Sequence, residues 1–363
     1  MKRVLIALPS LTGGGAERVA SVWASMLAER GYDVSVLVFY RAENEYELSR
    51  NVKVFAVCDT LREYLKLSYF RRYRIIRKAV KAVSPCTVIS FLPSVQVWIM
   101  FASLGLKAKR IDTIRINPWR IGLKRGAYLL WKLCYRTTDA IILQTPDQKP
   151  FFDFTAPDKC VIIPNPVSDS FVESYQRITA EHVTRFIAAG RISPQKNYEM
   201  MIRGFAKAHA EHPEIVLDIF GAGEEGYKTS LKELIHTLLM DDVIFLHERS
   251  ASIQEEYLKS DVFLMTSDYE GMPNALAEAM ASRLICVSTD CLTGPRSLID
   301  PSENGFLIPT GDSDALSDAI SQVLTMQYDD RVQMAEAARQ KAVSFCSREN
   351  SLLQLCKLLD KLD

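Results

Sequence analysis

Asp268-Tyr-Glu-Gly-Met-Pro-Asn-Ala-Leu-Ala-Glu-Ala-Met280 is the stretch of sequence around which the chain is organised. It contains two carboxylates, Glu270 and Glu278, with seven residues between them. The Gly-Met-Pro segment cannot lie inside a helix, because glycine and proline both disfavour one, whereas the residues from Asn274 onward are good helix formers. The pattern therefore predicts Glu270 on a loop and Glu278 about one turn into a helix.

The surroundings of this stretch favour a ligand site over an ordinary turn. A strand-like apolar run, residues 261–266, precedes it, and ligands of open α/β sheets bind beyond the carboxyl ends of strands. The first amides of the predicted helix, at Asn274, Ala275 and Leu276, lie where the helix dipole favours a phosphate. Two glutamates at this spacing are common by chance and alone would indicate two solvated side chains. The strand and the Gly-Met-Pro-Asn segment favour a nucleotide site instead.

The stretch resembles the E-x7-E motif of retaining glycosyltransferases with the GT-B fold, in the large group called family 4. The resemblance implies an α/β protein of two Rossmann-like, doubly wound domains facing across a cleft. It implies that Glu270 faces the donor sugar and that Glu278 binds the ribose. The remaining donor-binding positions of this stretch would be Gly271, Met272, Pro273, Asn274, Ala275 and Leu276.

Length and charge also indicate two domains. The chain has 363 residues, more than one ordinary core holds. Its 44 basic and 44 acidic residues cancel, but residues 1–166 contain 26 of the basic and 13 of the acidic ones. The rest of the chain is correspondingly acidic. This asymmetry predicts an anionic partner for the first domain.

Cysteine and histidine spacing predicts neither disulfides nor a metal site. The eight cysteines show no C-x-x-C pair, which favours buried free thiols in a reducing compartment. His209 and His212 have no third ligand near them in the sequence. The charge-free run 83–106 is long enough to span a membrane, yet its prolines and polar residues favour a strand followed by a buried helix. The apolar run at 4–8 is too short for a secretory signal.

A strand, a glycine loop and a helix open the chain. A dinucleotide fingerprint that starts at Gly13 would need a glycine where Arg18 stands, so a nicotinamide enzyme is disfavoured. Three consecutive glycines still indicate close approach of the backbone to a ligand at a helix N-terminus. The segment resembles the family's Gly-Gly-Ala-Glu loop, which implies that Gly13, Gly14 and Gly15 line the cleft between donor and acceptor.

The second half contains a further phosphate-type motif. Gly190-Arg-Ile-Ser-Pro-Gln-Lys-Asn197 follows a strand and precedes a helix, and it resembles the family's Gly-Arg-x4-Lys-Asn loop. Two fixed cations at a strand end suit a pyrophosphate, since Arg191 can bind two oxygens and Lys196 acts as a point charge. Without the flanking elements, the motif would indicate a surface salt-bridging loop.

Two more loops of the second half carry expected donor contacts. Gly221 and Gly223 end one strand, where glycine allows a flat group to approach the backbone. His247 and Arg249 follow the next strand. By resemblance these loops frame the nucleobase, although the family usually has glycine where His247 stands.

Arg115 marks a departure from the family pattern. The segment Thr113-Ile-Arg-Ile-Asn-Pro118 follows a predicted strand, at the place where many family members carry a histidine near the reacting sugar. Arg115 is therefore assigned to the acceptor side of the cleft. A role that needs a neutral imidazole is not available to this chain.

The alternation of strand and helix signals predicts the domain boundaries. The first domain is residues 1–166, the linker 167–182, the second domain 183–345, and residues 346–363 form a helix that returns to the first domain. Strands are predicted at 2–8, 34–39, 52–57, 87–91, 110–114, 140–143, 160–163, 184–189, 215–220, 243–246, 261–266 and 285–288.

Residues 61–81 and 118–136 are basic and rich in aromatic side chains. Such interleaving suits an anionic membrane surface, where each Lys or Arg contributes about 1 kcal/mol and rings lie at headgroup level. A solvated helix face ranks second. Nucleic acid ranks third, since no nucleic-acid motif is present.

Taken with these residues, the resemblance implies a retaining hexosyltransferase that needs no metal or other cofactor. It would move sugar from a nucleotide sugar, expected to be UDP-linked, to a lipid-linked glycan in bacterial polysaccharide assembly. It would be cytoplasmic, on the inner face of the cell membrane. Arg191, Lys196 and Glu270 would be the catalytic residues. The alternatives are a UDP-sugar 2-epimerase of the same fold and a non-enzymatic module that binds membranes or polyanions.

Overall fold

A computed structural model provides the structure of the chain and describes residues 2–122, 124–173 and 182–362. Within these residues, thirteen strands form two sheets in which every pairing is parallel. The strands are β1 (Arg3–Leu8), β2 (Asp33–Tyr40), β3 (Lys53–Cys58), β4 (Thr87–Phe91), β5 (Lys109–Thr113), β6 (Ala140–Leu143), β7 (Cys160–Ile162), β8 (Arg185–Ala189), β9 (Val216–Phe220), β10 (Ile244–His247), β11 (Val262–Met265), β12 (Ile285–Thr289) and β13 (Phe306–Ile308).

Helices connect most of the strands. In the described part of the chain the α-helices are α1 (Gly15–Glu29), α2 (Leu61–Lys66), α3 (Tyr69–Val83), α4 (Pro93–Ala102), α5 (Arg125–Thr137), α6 (Asp169–Glu173), α7 (Tyr198–Glu211), α8 (Glu225–Thr237), α9 (Ile253–Tyr257), α10 (Asn274–Ala281), α11 (Pro295–Leu298), α12 (Ser313–Thr325), α13 (Tyr328–Cys346) and α14 (Arg348–Leu362). Most helices lie on connections between parallel strands, as such connections require.

The two sheets have the same order of strands. The first runs β3-β2-β1-β4-β5-β6-β7 and the second β10-β9-β8-β11-β12-β13. In each, the chain starts in the middle, proceeds to one edge and returns to build the other side, which is the doubly wound topology. Central strands are buried on both faces, as in β4 and β12, because helices cover both sides of each sheet. The predicted α/β class is confirmed, and each predicted strand is present with its ends displaced by no more than one residue.

The chain divides into two compact units, which are Met1–Pro166 with Glu349–Asp363, and Val167–Arg348. The last segment belongs to the first unit because α14 packs Leu352, Leu355 and Leu358 into the core around Trp23. The indole N–H of Trp23 donates to Ser351 Oγ at 2.9 Å. Leu353, which follows the buried Leu352, is 43% exposed.

The first part of the predicted linker is packed into the second unit. The amide of Val167 donates to the carbonyl of Cys346 at 2.8 Å, and Phe171 of α6 is buried. The rest of the predicted linker, up to residue 181, lies outside the described residues.

The charge-free run 83–106 contains β4 and α4 in the first unit. Its polar Gln96 is buried and fully engaged: its amide donates to the carbonyl of Thr113 at 2.7 Å, and its Oε1 accepts from Trp131 and Tyr135. In the part of the chain that the structure describes, no helix is both long and apolar enough to cross a membrane.

The eight cysteines are free thiols, as predicted, but they are not uniformly buried. Cys134, Cys286, Cys291 and Cys346 are buried, whereas Cys86 is exposed in the turn before β4. The prediction of buried thiols therefore fails at Cys86, whose flanking residues form a surface turn. No group of three metal-ligating side chains lies together among the described residues.

Candidate functional site

The loop Gly190–Asn197 places Lys196 just before the start of helix α7. It follows β8, and Asn197 ends it in the left-handed conformation, with φ at 47°. Asn197 also caps α7, because its Oδ1 accepts a hydrogen bond from the amide of Met200 at 3.2 Å. Lys196 is therefore fixed on the residue before the helix cap.

Hydrogen bonds join this loop to the segment that contains Glu270. The amide of Asp268 donates to the carbonyl of Gln195 at 2.9 Å, and the side chain of Gln195 donates to the carbonyl of Tyr269 at 2.7 Å. The side-chain amide of Asn197 donates from Nδ2 to Asp268 Oδ1 at 2.9 Å. Thr266 donates to the backbone carbonyl of Lys196. Two motifs that lie about 70 residues apart in the sequence thus form one continuous site.

Lys196 and Glu270 form an ion pair at the centre of this site. The distance from Lys196 Nζ to Glu270 Oε1 is 2.6 Å. Only 17% of the lysine side chain and 9% of the glutamate side chain are exposed. A short, mostly buried, hydrogen-bonded pair of this kind is a strong interaction whose loss leaves a buried charge without a partner. Sequence reasoning predicted both residues but not their contact.

Two residues that support the pair were missed from the sequence. The buried hydroxyl of Tyr198 lies 3.3 Å from the carbonyl of Gly190, beneath the lysine. Burial, and to a smaller extent the charge of Glu270, raises the pKa of Tyr198 well above its usual range, so it stays a neutral phenol. Thr293 donates a hydrogen bond from its hydroxyl to the carbonyl of Glu270. Neither residue belongs to a motif, and only the fold brings them here.

As predicted, Glu270 lies on a loop and Glu278 lies on the short helix α10. Glu278 is buried on α10, at its fifth position. Met272 and Leu276 are also buried, in the core of the second unit. Their side chains are committed to packing, so only their main-chain groups are available to a ligand. Gly294 approaches this segment so closely that a Cβ there would lie 2.5 Å from Pro273 Cδ.

Gly221 and Gly223 have a structural explanation that the sequence did not suggest. A Cβ on Gly221 would lie 1.9 Å from the carbonyl oxygen of Gly190, and one on Gly223 would lie 2.3 Å from that of Ile192. The loop that carries Lys196 therefore packs directly on both glycines. The group that closely approaches the two glycines is therefore the backbone of this loop. The role of Gly221 and Gly223 in donor binding stays a prediction.

Arg191 and Arg249 are exposed, and neither guanidinium has a partner among the described residues. His247 ends β10 and stacks on Phe220, with 4.4 Å between ring centroids. Its Nε2 lies 2.7 Å from Asp218 Oδ1. The residue that replaces the family's usual glycine is thus held rigidly at a strand end.

The glycine loop of the first unit starts α1. Gly13 has φ at +99°, which favours glycine, and Gly14 is the N-cap residue before Gly15. A Cβ on Gly14 would lie 2.5 Å from a carboxylate oxygen of Glu17, which folds back over the helix start. The positive φ explains Gly13, whereas the contact at Gly14 involves only the end of a flexible side chain, which can move. The predicted ligand contact remains a prediction.

Arg115 is buried in the first unit beyond the end of β5. Its Nη1 donates to Asn165 Oδ1 at 2.6 Å. The centre of its guanidinium lies 4.5 Å from the ring centroid of Trp23 and 5.1 Å from that of Phe91. Burial lowers the pKa of Arg115 to about 9, so it remains a cation at neutral pH.

Two family models match successive parts of the chain. The Glycosyltransferase Family 4 model matches residues 13–171, and the model for Glycosyl transferases group 1 matches residues 176–341. The chain is made of the two domains of a GT-B glycosyltransferase. The boundary between the matches falls where the two compact units meet along the chain.

Known glycosyltransferases resemble this GT-B chain over nearly its whole length. Amylovoran biosynthesis glycosyltransferase AmsD of Erwinia amylovora is 25% identical, over 95% of this chain and 96% of its own. A Campylobacter jejuni enzyme, GalNAc-alpha-(1->4)-GalNAc-alpha-(1->3)-diNAcBac-PP-undecaprenol alpha-1,4-N-acetyl-D-galactosaminyltransferase, is 27% identical over 95% of each chain. Among solved structures, Anabaena Alr3699/HepE in complex with UDP has a TM-score of 0.81 at 15% identity, covering 99% of this chain and 100% of its own. The predicted GT-B fold is thereby confirmed.

Proposed function

We propose that the protein transfers a hexose-type sugar from a UDP-linked donor to a hydroxyl of a lipid-linked glycan, with retention at the anomeric carbon. The observation that carries the proposal is the buried Lys196–Glu270 pair, which unites a pyrophosphate-type cation with a carboxylate suited to a sugar. Two comparisons support the choice of substrates. HepE was solved with UDP, and the Campylobacter enzyme is named for an undecaprenol-diphosphate acceptor.

Charge on the leaving diphosphate is the main problem that such a site must solve. The bond between the anomeric carbon and the β-phosphate oxygen breaks, and a new bond forms to the acceptor oxygen. Arg191 and Lys196 stabilise the charge on the departing oxygen, with the first-turn amides of Ala275 and Leu276, because preorganised donors are usually the largest catalytic contribution. The leaving phosphate takes the acceptor's proton, so no protein base is required.

The two glutamates orient the donor. Glu270 binds hydroxyls of the sugar, and Glu278 binds the ribose from α10. Because Lys196 and Glu270 are in contact, they would hold the phosphate and the sugar of the donor at adjacent positions. Two cations at the diphosphate make the reaction independent of a metal ion.

The first unit is proposed to rest on the anionic inner face of the cell membrane. Helix α4 packs against both α3 and α5, so the two basic stretches belong to one helical layer. Its exposed apolar side chains include Leu65, Tyr69, Phe70, Leu129, Leu130 and Leu133. Exposed apolar groups beside Lys and Arg are suited to a lipid headgroup region.

Not every aromatic ring of these stretches is available to lipid. Tyr64, Trp131 and Tyr135 are buried in the first unit, which corrects the expectation that the rings of both stretches lie at headgroup level. Trp131 and Tyr135 face inward because both bind Gln96 of α4. The proposed membrane contact therefore rests on the exposed leucines, Tyr69, Phe70 and Trp119.

Calorimetric titration with UDP and GDP, followed by transfer assays with their sugars, tests the proposal. We expect UDP to bind and a UDP-sugar to react with a lipid-linked glycan with retention, which product NMR detects. A UDP-sugar converted to its epimer without an acceptor would indicate the epimerase alternative. Absence of nucleotide binding would leave a non-enzymatic module and refute the proposal.

A further inference from the structure

The guanidinium of Arg115 is a buried cation with no anionic partner in the part of the chain that the structure describes. The residue is only 9% exposed, and the charge of no described carboxylate offsets the effect of burial on its pKa. A charge taken out of water is costly unless it is paired and hydrogen-bonded. Its neighbours are two aromatic rings and the amide of Asn165, which together satisfy only part of the group.

The unsatisfied part of the guanidinium has a definite geometry. Nη1 donates to Asn165, and the central carbon of the group lies over the rings of Trp23 and Phe91. Nε and Nη2 are buried and have no hydrogen-bond acceptor among the described residues. These two nitrogens form one edge of the planar fork, whose parallel N–H groups match two oxygens of a single oxyanion.

The same segment carries further buried polar groups without partners. Thr113 Oγ1 and Asn117 Nδ2 are both buried and, among the described residues, have no hydrogen-bond partner. Each lies two positions from Arg115 along the chain that leaves β5. The segment therefore follows the carboxyl end of a strand, the edge at which open α/β sheets bind ligands. Buried polar groups without partners are rare in native proteins, and a functional role is one explanation for them.

We propose that Arg115 is the binding residue for a phosphate group of the acceptor, held through the Nε–Nη2 edge of its guanidinium. The inference rests on the proposed function, in which the acceptor is a glycan on a lipid diphosphate. A phosphate fits because it offers two oxygens to the two parallel N–H groups of this edge. The arginine thus selects the charged anchor of the acceptor, a different task from that of a neutral imidazole near the reacting sugar.

The kinetic test compares two acceptors with the same glycan, one on a lipid diphosphate and one on a neutral alkyl chain. Arg115→Gln should raise KM for the diphosphate acceptor about 10- to 100-fold, the usual range for a charge-assisted hydrogen bond. KM for the neutral acceptor and for the donor should stay within about twofold. Arg115→Lys should fall between, since it keeps the charge but loses the fork. Arg50→Gln, at an exposed turn of the same unit, is the matched control and should change neither KM.

A binding test uses inorganic pyrophosphate as the probe, with UDP present at saturation to fill the donor site. Pyrophosphate should raise the Tm of the wild type and of Arg50→Gln but not that of Arg115→Gln. Equal Tm shifts in all three proteins would place the anion elsewhere and overturn the proposal. Equal KM changes for the two acceptors would do the same, because they would show a structural role for Arg115.

The two tests also separate this inference from the proposed function. If the wild type transfers no sugar to any acceptor, the proposed function fails, and the pyrophosphate shift still decides whether Arg115 binds an anion. If the wild type transfers sugar and Arg115→Gln discriminates between the two acceptors as the wild type does, the proposed function is supported and the phosphate site at Arg115 is refuted.

Discussion

Replacing Lys196 by methionine should damage stability and turnover through the same contact. The lysine lies 2.6 Å from Glu270, and neither side chain is more than 17% exposed, so solvent screens the pair weakly. Its loss leaves a largely buried carboxylate unpaired, at a cost of roughly 2 to 3 kcal/mol, somewhat below that of a fully buried pair. For a unit of this size, Tm should fall by about 5 to 10 °C.

Turnover should fall further than stability explains. Removing one preorganised donor from a leaving diphosphate costs about 2 to 4 kcal/mol of transition-state stabilisation, roughly a factor of 10² to 10³ in kcat. The double variant Lys196→Met with Glu270→Gln removes both charges and should recover most of the lost Tm without recovering turnover. Recovery of Tm without recovery of kcat would show that the Lys196–Glu270 pair contributes to both stability and turnover.

Scanning calorimetry and a coupled UDP-release assay measure the two effects. Lys207→Met is the matched control, because Lys207 pairs with Asp314 in the same unit while both side chains are largely exposed. It should cost less than about 1 kcal/mol and leave kcat unchanged. Near-normal turnover in Lys196→Met would remove this lysine from the site, and an unchanged Tm would mean that its ion pair with Glu270 does not form.

Three further predictions concern other parts of the chain. Glu278→Gln should weaken UDP binding in calorimetry even with no sugar attached, and unchanged affinity would show that this glutamate does not bind the ribose. Burial raises the pKa of Asp112 from 3.8 to about 6, so the folded protein holds this proton more tightly than the unfolded chain and loses stability as pH rises from about 4 to 6. Over that pH range, the free energy of unfolding of Asp112→Asn should rise by up to about 3 kcal/mol relative to that of the wild type, as measured by denaturant titration. A difference between the two proteins that does not change with pH would contradict this prediction. Arg71→Glu with Arg74→Glu should weaken sedimentation with anionic vesicles, as should salt, but not UDP binding; no sedimentation of the wild type at low salt would refute the membrane contact.

The choice of arginines in that last variant shows what the sequence did not reveal. Composition does not distinguish Arg71, Arg72 and Arg74 within the basic residues 61–81. In the structure Arg72 donates to the carbonyls of Tyr64 and Leu65 and stacks on the Tyr64 ring, so it fixes α2 against α3. Changing Arg71 and Arg74 to glutamate leaves these contacts of Arg72 in place.

The strands were predictable because parallel sheets impose a strong local pattern. Short Val- and Ile-rich runs such as β1 and β12 are buried on both faces, and glycine or proline marks many of their ends. Site residues within motifs were predictable for the same local reason. Lys196 and Glu270 each belong to a recognisable loop, which the fold then brings together.

Residues whose roles depend on distant partners were not predictable. Nothing near Thr293 in the sequence indicates that its hydroxyl binds the carbonyl of Glu270, or that Tyr198 lies beneath Lys196. The glycines at 221 and 223 were assigned to a ligand because a close approach was evident. Which group approaches, here the backbone from Gly190 to Ile192, depends on how two loops pack.

The contribution of α14 to the first unit has a consequence for synthesis on the ribosome. Trp23 donates its indole N–H to Ser351, 328 residues further along the chain, and Ser351 in turn donates to the carbonyl of Pro164. The second unit is continuous in sequence and can fold once Arg348 has emerged. The first unit, although translated earlier, must wait with an open apolar groove until Leu352, Leu355 and Leu358 arrive to fill it. The half of the protein that is made first is therefore the half that is finished last.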